Sequence, residues 1–198
     1  MSSFQYNLAR TELLNHLMSR RSHWPLKEPV PSAEELHLAF EAAMRAPDHT
    51  GRQPWRFVVV PAVALPALSD IFAEAAVNRG AEDGGKRSRG QALAAPMIVA
   101  VGARICRDCQ VPEVEQILSV GAAAMNFLNA LHILGYGGYW ASGPNAYDRF
   151  VRESLGLHDE GDLLVGFIYV GSASKQRAPK ARPSSEAFAS TWVGLLAS

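Results

Sequence analysis

The segment 112–134 is the longest helical pattern in the chain, and it constrains the fold more than any other segment. Its centre carries a run of small residues, Gly121 to Ala124, and small side chains let a helix approach its neighbours closely. The larger apolar residues cover more than one face of the helix; they are Val114, Ile117, Leu118, Met125, Leu128 and Leu131. A helix that is apolar on several faces is buried on several sides. We therefore expect it at the centre of a domain or of a dimer.

The composition is that of a single globular domain. The chain has 198 residues, of which 48% are apolar and 19% charged, enough to bury a sizeable core. Its 19 basic and 19 acidic residues balance to a formal net charge of zero, so we expect neither nucleic acid nor a membrane as a partner. No apolar run reaches the ~20 residues that span a bilayer, and residues 1–20 lack a signal-peptide core. The expected location is the cytoplasm.

The rest of the chain alternates between helical and strand patterns. A leucine pattern predicts a first helix that ends before Arg20-Arg21, and Ser32 with Glu35 forms a capping box that predicts a second helix up to about Arg45. Further helices are predicted over residues 65–79 and 147–155, and strands over residues 55–60, 96–101 and 163–170, the last ended by Gly171. Because helix exceeds strand and no repeat is present, the pattern predicts an α+β domain.

Two segments follow neither pattern. Residues 80–90 mix glycine with both charge signs and are predicted to form a mobile surface excursion. The tail is rich in Lys, Arg, Pro and Ser, but it ends in apolar residues, which are Phe188, Trp192, Val193, Leu195 and Leu196. Such residues need a surface to cover. We predict one domain over residues 1–198, with a C-terminal arm over residues 172–198 that packs on a partner subunit.

The two cysteines, Cys106 and Cys109, form a CxxC motif. A structural zinc site takes four Cys or His ligands, and no second pair stands at ligand spacing, although one of the six histidines is available in principle. A thioredoxin-like site would place the motif at the start of a helix, whereas Arg107, Asp108 and Gln110 are typical of a solvated turn. We therefore interpret both thiols as inert loop cysteines and expect no metal site.

Three separated segments concentrate cations, hydroxyls and glycine beside apolar structure. They are Arg20-Arg21-Ser22, residues 45–55 with the sequence RAPDHTGRQPW, and residues 137–143 with the sequence GGYWASG. The fingerprints GxGxxG, GxxxxGK[ST], GxSxG and HExxH are all missing from the sequence. In this order the three segments resemble the nitroreductase family, over about residues 20–171. The resemblance is closest to a small single-domain subgroup, in which Arg-Ala-Pro-Asp-His precedes Gln-Pro-Trp and Trp-x-Ser-Gly follows the glycine-rich turn.

The resemblance implies a nitroreductase-like α+β fold, with a central mixed or antiparallel sheet, a long buried central helix and an intertwined homodimer. It implies FMN as the cofactor, NADH or NADPH as the electron donor, and ping-pong reduction of nitroaromatics, quinones or other electron-poor small molecules. The implied FMN contacts, some of them across the dimer interface, are Arg20, Arg21, Ser22, Arg45, His49, Gln53, Trp140, Ala141, Ser142 and Gly143. No side chain is implied as a catalytic acid or base, since the cofactor carries the chemistry.

The chain departs from the family pattern at four positions. Asp48 and Gly51 stand where many members have Ser and Asn, and Thr50 and Ala141 stand where close relatives carry Lys and Arg. The candidates for a compensating phosphate contact are Lys175, Lys180 and Arg182. The missing cations leave open a same-fold flavoenzyme with another reaction or a non-catalytic flavin-binding or storage protein. The cysteine pair leaves open a metal-binding module.

Overall fold

The computed structural model describes residues 3–175 and 181–194, and in that part of the chain a five-stranded sheet carries helices on both faces. The strands are β1 (Leu26–Lys27), β2 (Trp55–Val60), β3 (Met97–Arg104), β4 (Gly137–Ala141) and β5 (Asp162–Ala173). The helices are α1 (Ser3–Ser19), α2 (Ala33–Ala43), α3 (Leu65–Asn78), α4 (Lys86–Ala92), α5 (Glu113–Ile133) and α6 (Arg149–Ser154). This is the α+β architecture that the sequence predicts.

The sheet is built on β5. On one edge β5 pairs with β3 from Asp162 to Val170, and β2 pairs with β3 beyond it. On its other side β5 pairs with β4 and, at Ser172 and Ala173, with β1. All of these strand pairings are antiparallel. β5 is paired on both edges, and the helices cover both of its faces. This explains its almost continuous apolar sequence.

Two apolar cores lie on opposite faces of the sheet. On the side of α2 and α5, the Phe40 and Phe127 rings stack with their centroids 4.9 Å apart. On the side of α3, the Phe72 and Phe167 rings meet edge to face with centroids 5.0 Å apart. Full burial of one such side chain contributes roughly 1.5–3 kcal/mol, so the two cores hold both helical layers against the sheet.

The long helix α5 confirms the strongest sequence prediction and also carries an unusual surface. On one face Phe127 and Leu131 are fully buried in the core. Away from that face it exposes a line of large apolar side chains, here called the apolar stripe, which consists of Val114, Leu118, Met125 and Ile133. By length and composition α5 would also suffice to cross a membrane, but half of its most apolar stretch is buried inside the domain. Burial in the core therefore accounts for much of its apolar character.

The segment 80–90 differs from its prediction, because α4 begins inside it. The Asp83 carboxylate accepts hydrogen bonds from the backbone N–H groups of Gly85 and Arg87, both at 2.9 Å, and so supports the first turn of the helix. The Ser69 hydroxyl of α3 donates to the Arg89 carbonyl at 3.1 Å. Contacts of this kind form only in the folded chain. They give the sequence no apolar periodicity from which α4 could be predicted.

The strand predicted to end at Gly171 continues to Ala173. Its last two residues pair with β1, which is only two residues long and was not predicted. The other predicted helices and strands are present with ends shifted by a few residues. At α2 the capping box is confirmed: Ser32 Oγ accepts from the Glu35 N–H at 3.2 Å, and Glu35 accepts from the Ser32 N–H at 2.8 Å.

Asp162, at the start of β5, is a fully buried carboxylate. It accepts hydrogen bonds from the Arg104 guanidinium at 3.0 and 3.3 Å and from the Asp159 backbone N–H at 3.0 Å. Burial acts to raise the pKa of Asp162, but the bonds from Arg104 and Asp159 outweigh it, so its pKa lies below the ordinary value. The exposed Asp159 carboxylate binds the same guanidinium at 2.8 Å.

We predict that Asp162→Asn lowers the free energy of unfolding by about 2 kcal/mol, because it removes the charge of a buried carboxylate that accepts hydrogen bonds from the half-exposed Arg104 guanidinium. Asp159→Asn, the matched control, removes an exposed partner of the same arginine and should cost less than about 1 kcal/mol. Because the folded pKa of Asp162 is lowered, its stabilisation is present above the unfolded pKa and is lost as the pH falls through the folded pKa. Urea unfolding at neutral and acidic pH measures both effects. Equal losses for the two variants at neutral pH would contradict this account.

Candidate functional site

The segment that follows α1 lies along the outer edge of β4. Ser22 forms a parallel bridge with Gly138, so residues 20–22 and the glycine-rich turn are neighbours in space. A Cβ atom on Gly138 would stand 2.5 Å from Leu128 Cδ2 on α5. The first and third of the predicted segments therefore meet on a strand that packs directly against the central helix.

A cavity of about 260 Å³ opens beside β4 and the residues that follow it. This aromatic cavity has a wall formed by Trp24, Phe72, Tyr139, Phe167 and Tyr169, and a polar rim formed by Gln91, Ser142, Gly143 and Asn145. Among the described residues that line it, none carries a carboxylate, imidazole, amine or thiol. This chain therefore offers the cavity no general acid or base that titrates near neutral pH.

Trp24 organises the aromatic wall. Its ring lies 5.0 Å from those of Tyr139 and Tyr169, tilted by 49° to the first and 83° to the second. Burial, with a smaller effect of Tyr139, raises the pKa of Tyr169 to about 12. The Tyr169 hydroxyl therefore stays protonated at physiological pH, and the wall is uncharged. A wall of this kind suits a flat ring.

A narrower cleft shares Trp24 with the aromatic cavity. This cationic cleft is lined by Arg21, Ser22, His23, Trp24, Pro25, Ser174 and Lys175. The neighbouring Arg20 is partly buried, and its pKa is lowered by that burial and by the charge of Arg182. In residues 3–175 and 181–194, neither Arg20 nor Arg182 forms an ion pair with a carboxylate.

Two guanidinium groups held near each other without a carboxylate favour an anion between them. A phosphate group is a suitable anion, because a guanidinium fork donates paired hydrogen bonds to its oxygens. Arg182 and Lys175 are two of the three tail cations suggested by the sequence, and the third, Lys180, lies outside the described residues. The structure places Arg182 within electrostatic reach of Arg20 and Lys175 in the cationic cleft.

The second predicted segment, residues 45–55, lies elsewhere on the chain. Its implied FMN contacts, which line neither the aromatic cavity nor the cationic cleft, are Arg45, His49 and Gln53. The His49 Nδ1 atom is 2.5 Å from Glu115 Oε2 in the first turn of α5, and both residues border a shallow depression that includes Leu118 of the apolar stripe. Within one chain residues 47–49 therefore lie beside the exposed face of α5, whereas Gln53 lines a separate depression with Phe40 and Met44.

The third segment divides between cavity and core. Ala141, Ser142 and Gly143 line the aromatic cavity, whereas Trp140 packs against the core on the side of α5. A Cβ atom on Gly166 would lie 2.5 Å from Trp140 Nε1. The Trp140 indole therefore rests on the bare backbone of β5.

Sequence reasoning missed several residues of the aromatic wall and rim. Trp24 could have been predicted from its position, because it stands two residues after Ser22. Side chains two residues apart in an extended segment lie on the same face. Tyr169 comes from β5 and Gln91 from α4. Neither belongs to a local motif, so only the fold connects them to the site.

The sequence matches a known family and two curated relatives. The model of the nitroreductase family matches residues 17–172. The chain is 36% identical over 162 residues to YdjA of Escherichia coli (strain K12), provisionally named an NAD(P)H nitroreductase, with 81% of this chain and 88% of YdjA covered. A protein of Haemophilus influenzae with the same provisional assignment is 31% identical over 173 residues, with 86% of this chain and 94% of the relative covered.

Solved structures are similar over nearly the whole fold. A nitroreductase-like family protein from Bacillus cereus has a TM-score of 0.80 at 23% identity, covering 92% of this chain and 96% of that protein. A candidate nitroreductase from Desulfovibrio desulfuricans, solved in complex with FMN, has a TM-score of 0.70 at 25% identity, covering 92% of this chain and 98% of that protein. The nitroreductase-like fold implied by the sequence is thereby confirmed.

Proposed function

Because this chain belongs to the nitroreductase family, we propose that it is an FMN-dependent oxidoreductase that takes its electrons from NADH or NADPH. The observation that carries the proposal is the joining, at Trp24, of a cationic cleft and an aromatic cavity. FMN has two matching ends, a phosphate group and a flat tricyclic ring. The fit of each end is argued separately below.

The side chains of the cationic cleft suit a phosphate, which would lie at its mouth because the cleft itself encloses only about 10 Å³. Arg21, Lys175 and the Ser22 hydroxyl line it, and Arg20, which precedes Arg21 in the chain, lies within electrostatic reach of Arg182. A phosphate held near Arg20 and Arg182 would offset the repulsion between their guanidinium groups. The family resemblance and the local electrostatics therefore assign the same role to residues 20–22.

The aromatic cavity fits the ring. Trp24 and the two tyrosines supply flat apolar surface, and the Ser142 hydroxyl and Gln91 amide at the rim supply hydrogen-bonding groups for a ring edge. Gly143 has a φ of 92° and carries no side chain, so the backbone there can approach a ligand closely. When bound, FMN supplies the redox chemistry, accepting a hydride from the nicotinamide and passing it to the acceptor. The protein positions the reactants and shields them from water.

We propose that electron donor and acceptor stack in turn over the flavin ring held in the aromatic cavity, which gives ping-pong kinetics. An uncharged aromatic wall with a polar rim suits flat, electron-poor acceptors such as nitroaromatics, quinones and enones. The proposed location is the cytoplasm, where NADH and NADPH are supplied.

We further propose that the chain works as a homodimer. The apolar stripe on α5 is exposed, with Leu118 at 65%, and the tail exposes Phe188, Trp192 and Val193. Exposed apolar groups on this scale need a covering surface. The proposed C-terminal arm supplies part of that cover on the partner subunit; its last apolar residues, Leu195 and Leu196, lie outside the described residues.

The dimer would complete the flavin site. Residues 47–49 border the apolar stripe at Leu118, so two-fold packing of stripe against stripe would carry the loop that contains them toward the other subunit. We propose that Arg45, His49 and Gln53 reach FMN across this interface. The two groups of contacts that lie apart within one chain would then meet between two chains.

The purified protein is expected to bind FMN and to lose the visible absorption of the flavin when NADPH or NADH is added under anaerobic conditions. Addition of a nitroaromatic or a quinone should restore the absorption. A bound flavin that neither nicotinamide reduces would support a storage protein instead. A protein that binds no FMN would overturn the proposal.

Arg20→Ala is expected to weaken FMN binding roughly thirtyfold, since a hydrogen bond to a charged group contributes about 2 kcal/mol. The dissociation constant is measured by titrating FMN into flavin-free protein and following tryptophan fluorescence. Arg149→Ala is the control, because Arg149 is exposed and pairs with Glu153 on α6. It should leave the dissociation constant unchanged. Equal FMN affinity in Arg20→Ala and the wild type would remove Arg20 from the site.

Leu118→Glu is expected to convert the dimer into a monomer at micromolar concentration, because it places a charge in the middle of the apolar stripe. Val63→Glu is the control, since Val63 is 87% exposed and lies outside α5. Light scattering coupled to size-exclusion chromatography gives the mass of each species. A dimer that persists in Leu118→Glu, or one that is lost equally in Val63→Glu, would contradict the proposed interface.

A further inference from the structure

The CxxC turn between β3 and α5 is held together by one buried side chain. Gln116 on α5 is only 2% exposed. Its Oε1 accepts a hydrogen bond from the Cys106 N–H at 2.9 Å, and its Nε2 donates to the Cys106 carbonyl at 2.9 Å and to the Val111 carbonyl at 3.0 Å. Both ends of the turn are therefore fixed to the same amide.

Within this turn the two thiols lie side by side. Cys109 Sγ donates to the Cys106 carbonyl at 3.1 Å and lies 3.7 Å from Gln116 Nε2. Each thiol also shifts the pKa of the other. Each cysteine is partly exposed, so a small reagent can reach the pair. The turn therefore already brings together two sulfur atoms that a disulfide would join.

The surroundings make the two thiols unequal. The hydrogen bond from Cys106 lowers the pKa of Cys109, and the backbone at Val111, the charge of Arg52 and the Gln116 amide act in the same direction against burial. The pKa of Cys106 is raised by its bond to Cys109, by burial and by the charge of Cys109. A thiol with a lowered pKa beside a thiol with a raised pKa is the arrangement of an attacking and a resolving cysteine.

We propose that Cys106 and Cys109, which the motif alone led us to interpret as inert, form a redox-active dithiol, which hydroperoxides oxidise to an intrachain disulfide and which dithiols reduce again. The Cys109 thiolate attacks the peroxide: an S–O bond forms, the O–O bond breaks, and the departing oxygen takes up a proton to leave as water or an alcohol. Cys106 then attacks the resulting sulfenic acid; an S–S bond forms, the S–O bond breaks and water leaves. Two thiols lose two electrons and two protons, and one peroxide gains them. The proposal does not depend on the proposed flavin chemistry.

A disulfide accounts for this pair better than a metal does. In the described part of the chain, no three His, Cys, Asp or Glu side chains lie close enough together to hold a metal ion. Two thiolates alone leave a tetrahedral zinc ion with half of its ligands. The sulfur atoms, in contrast, need only each other to form a disulfide.

The test uses the purified, reduced protein and a single equivalent of hydrogen peroxide. Thiol titration is expected to fall from two free thiols per chain to none and to return to two after dithiothreitol. The intact mass should fall by two hydrogens while the chain stays monomeric on a non-reducing denaturing gel. The proposal is overturned if both thiols persist, if the chains become cross-linked, or if the purified protein holds stoichiometric zinc.

Two matched variants test the assigned order of attack. In Cys106→Ser, peroxide should leave a sulfenic acid on Cys109 that dimedone traps. In Cys109→Ser, the remaining Cys106 thiol should react several-fold more slowly than Cys109 does in Cys106→Ser, because the backbone at Val111 and the Gln116 amide stabilise a thiolate on Cys109 and not one on Cys106. Equal rates, or faster reaction of Cys106, would contradict the assignment of Cys109 as the attacking cysteine.

Discussion

The candidate site depends on one close contact, the packing of β4 against α5 at Gly138. With no side chain at this position, the strand lies against Leu128, and its outer edge is free to bridge Ser22. That bridge places residues 20–22 beside the aromatic cavity. It also places Trp24 where its side chain lines both the aromatic cavity and the cationic cleft. A larger residue at Gly138 would have to displace the Leu128 side chain or move β4 away from α5.

The helix α5 connects the other features of the molecule. One face of it is core, and its first turn holds two loops, with Glu115 bound to His49 and Gln116 bound to the cysteine turn. The apolar stripe, in contrast, is exposed and borders residues 47–49 at Leu118. Packing on two sides of α5 therefore explains its central run of small residues and its apolar character all round. One side packs in the core of the domain, and we assign the other to a partner subunit.

Much of the architecture could be predicted from local chemistry, because the capping box of α2, the β-branched run of β2 and the length of α5 each depend on nearby residues. β1 and α4 could not be predicted in this way. β1 exists only by pairing with the end of β5, and α4 is stabilised by Asp83 and by contacts with α3. The site shows the same division. The chemistry-bearing segments were evident, but the contribution of Trp24 and Tyr169, and the separation of residues 45–55 from residues 20–22, depend on the tertiary fold.

The central claim is that residues 20–22 of one subunit and the loop 45–55 of the other hold one flavin, and mixed dimers test it directly. Arg20→Ala and Gln53→Ala chains carrying different affinity tags are co-expressed, and the mixed dimer is isolated and titrated with FMN. If sites are shared between subunits, each homodimer is deficient while the mixed dimer regains one intact site and binds one FMN tightly. A mixed dimer as deficient as both parents, or a Gln53→Ala homodimer with full affinity, would contradict the account.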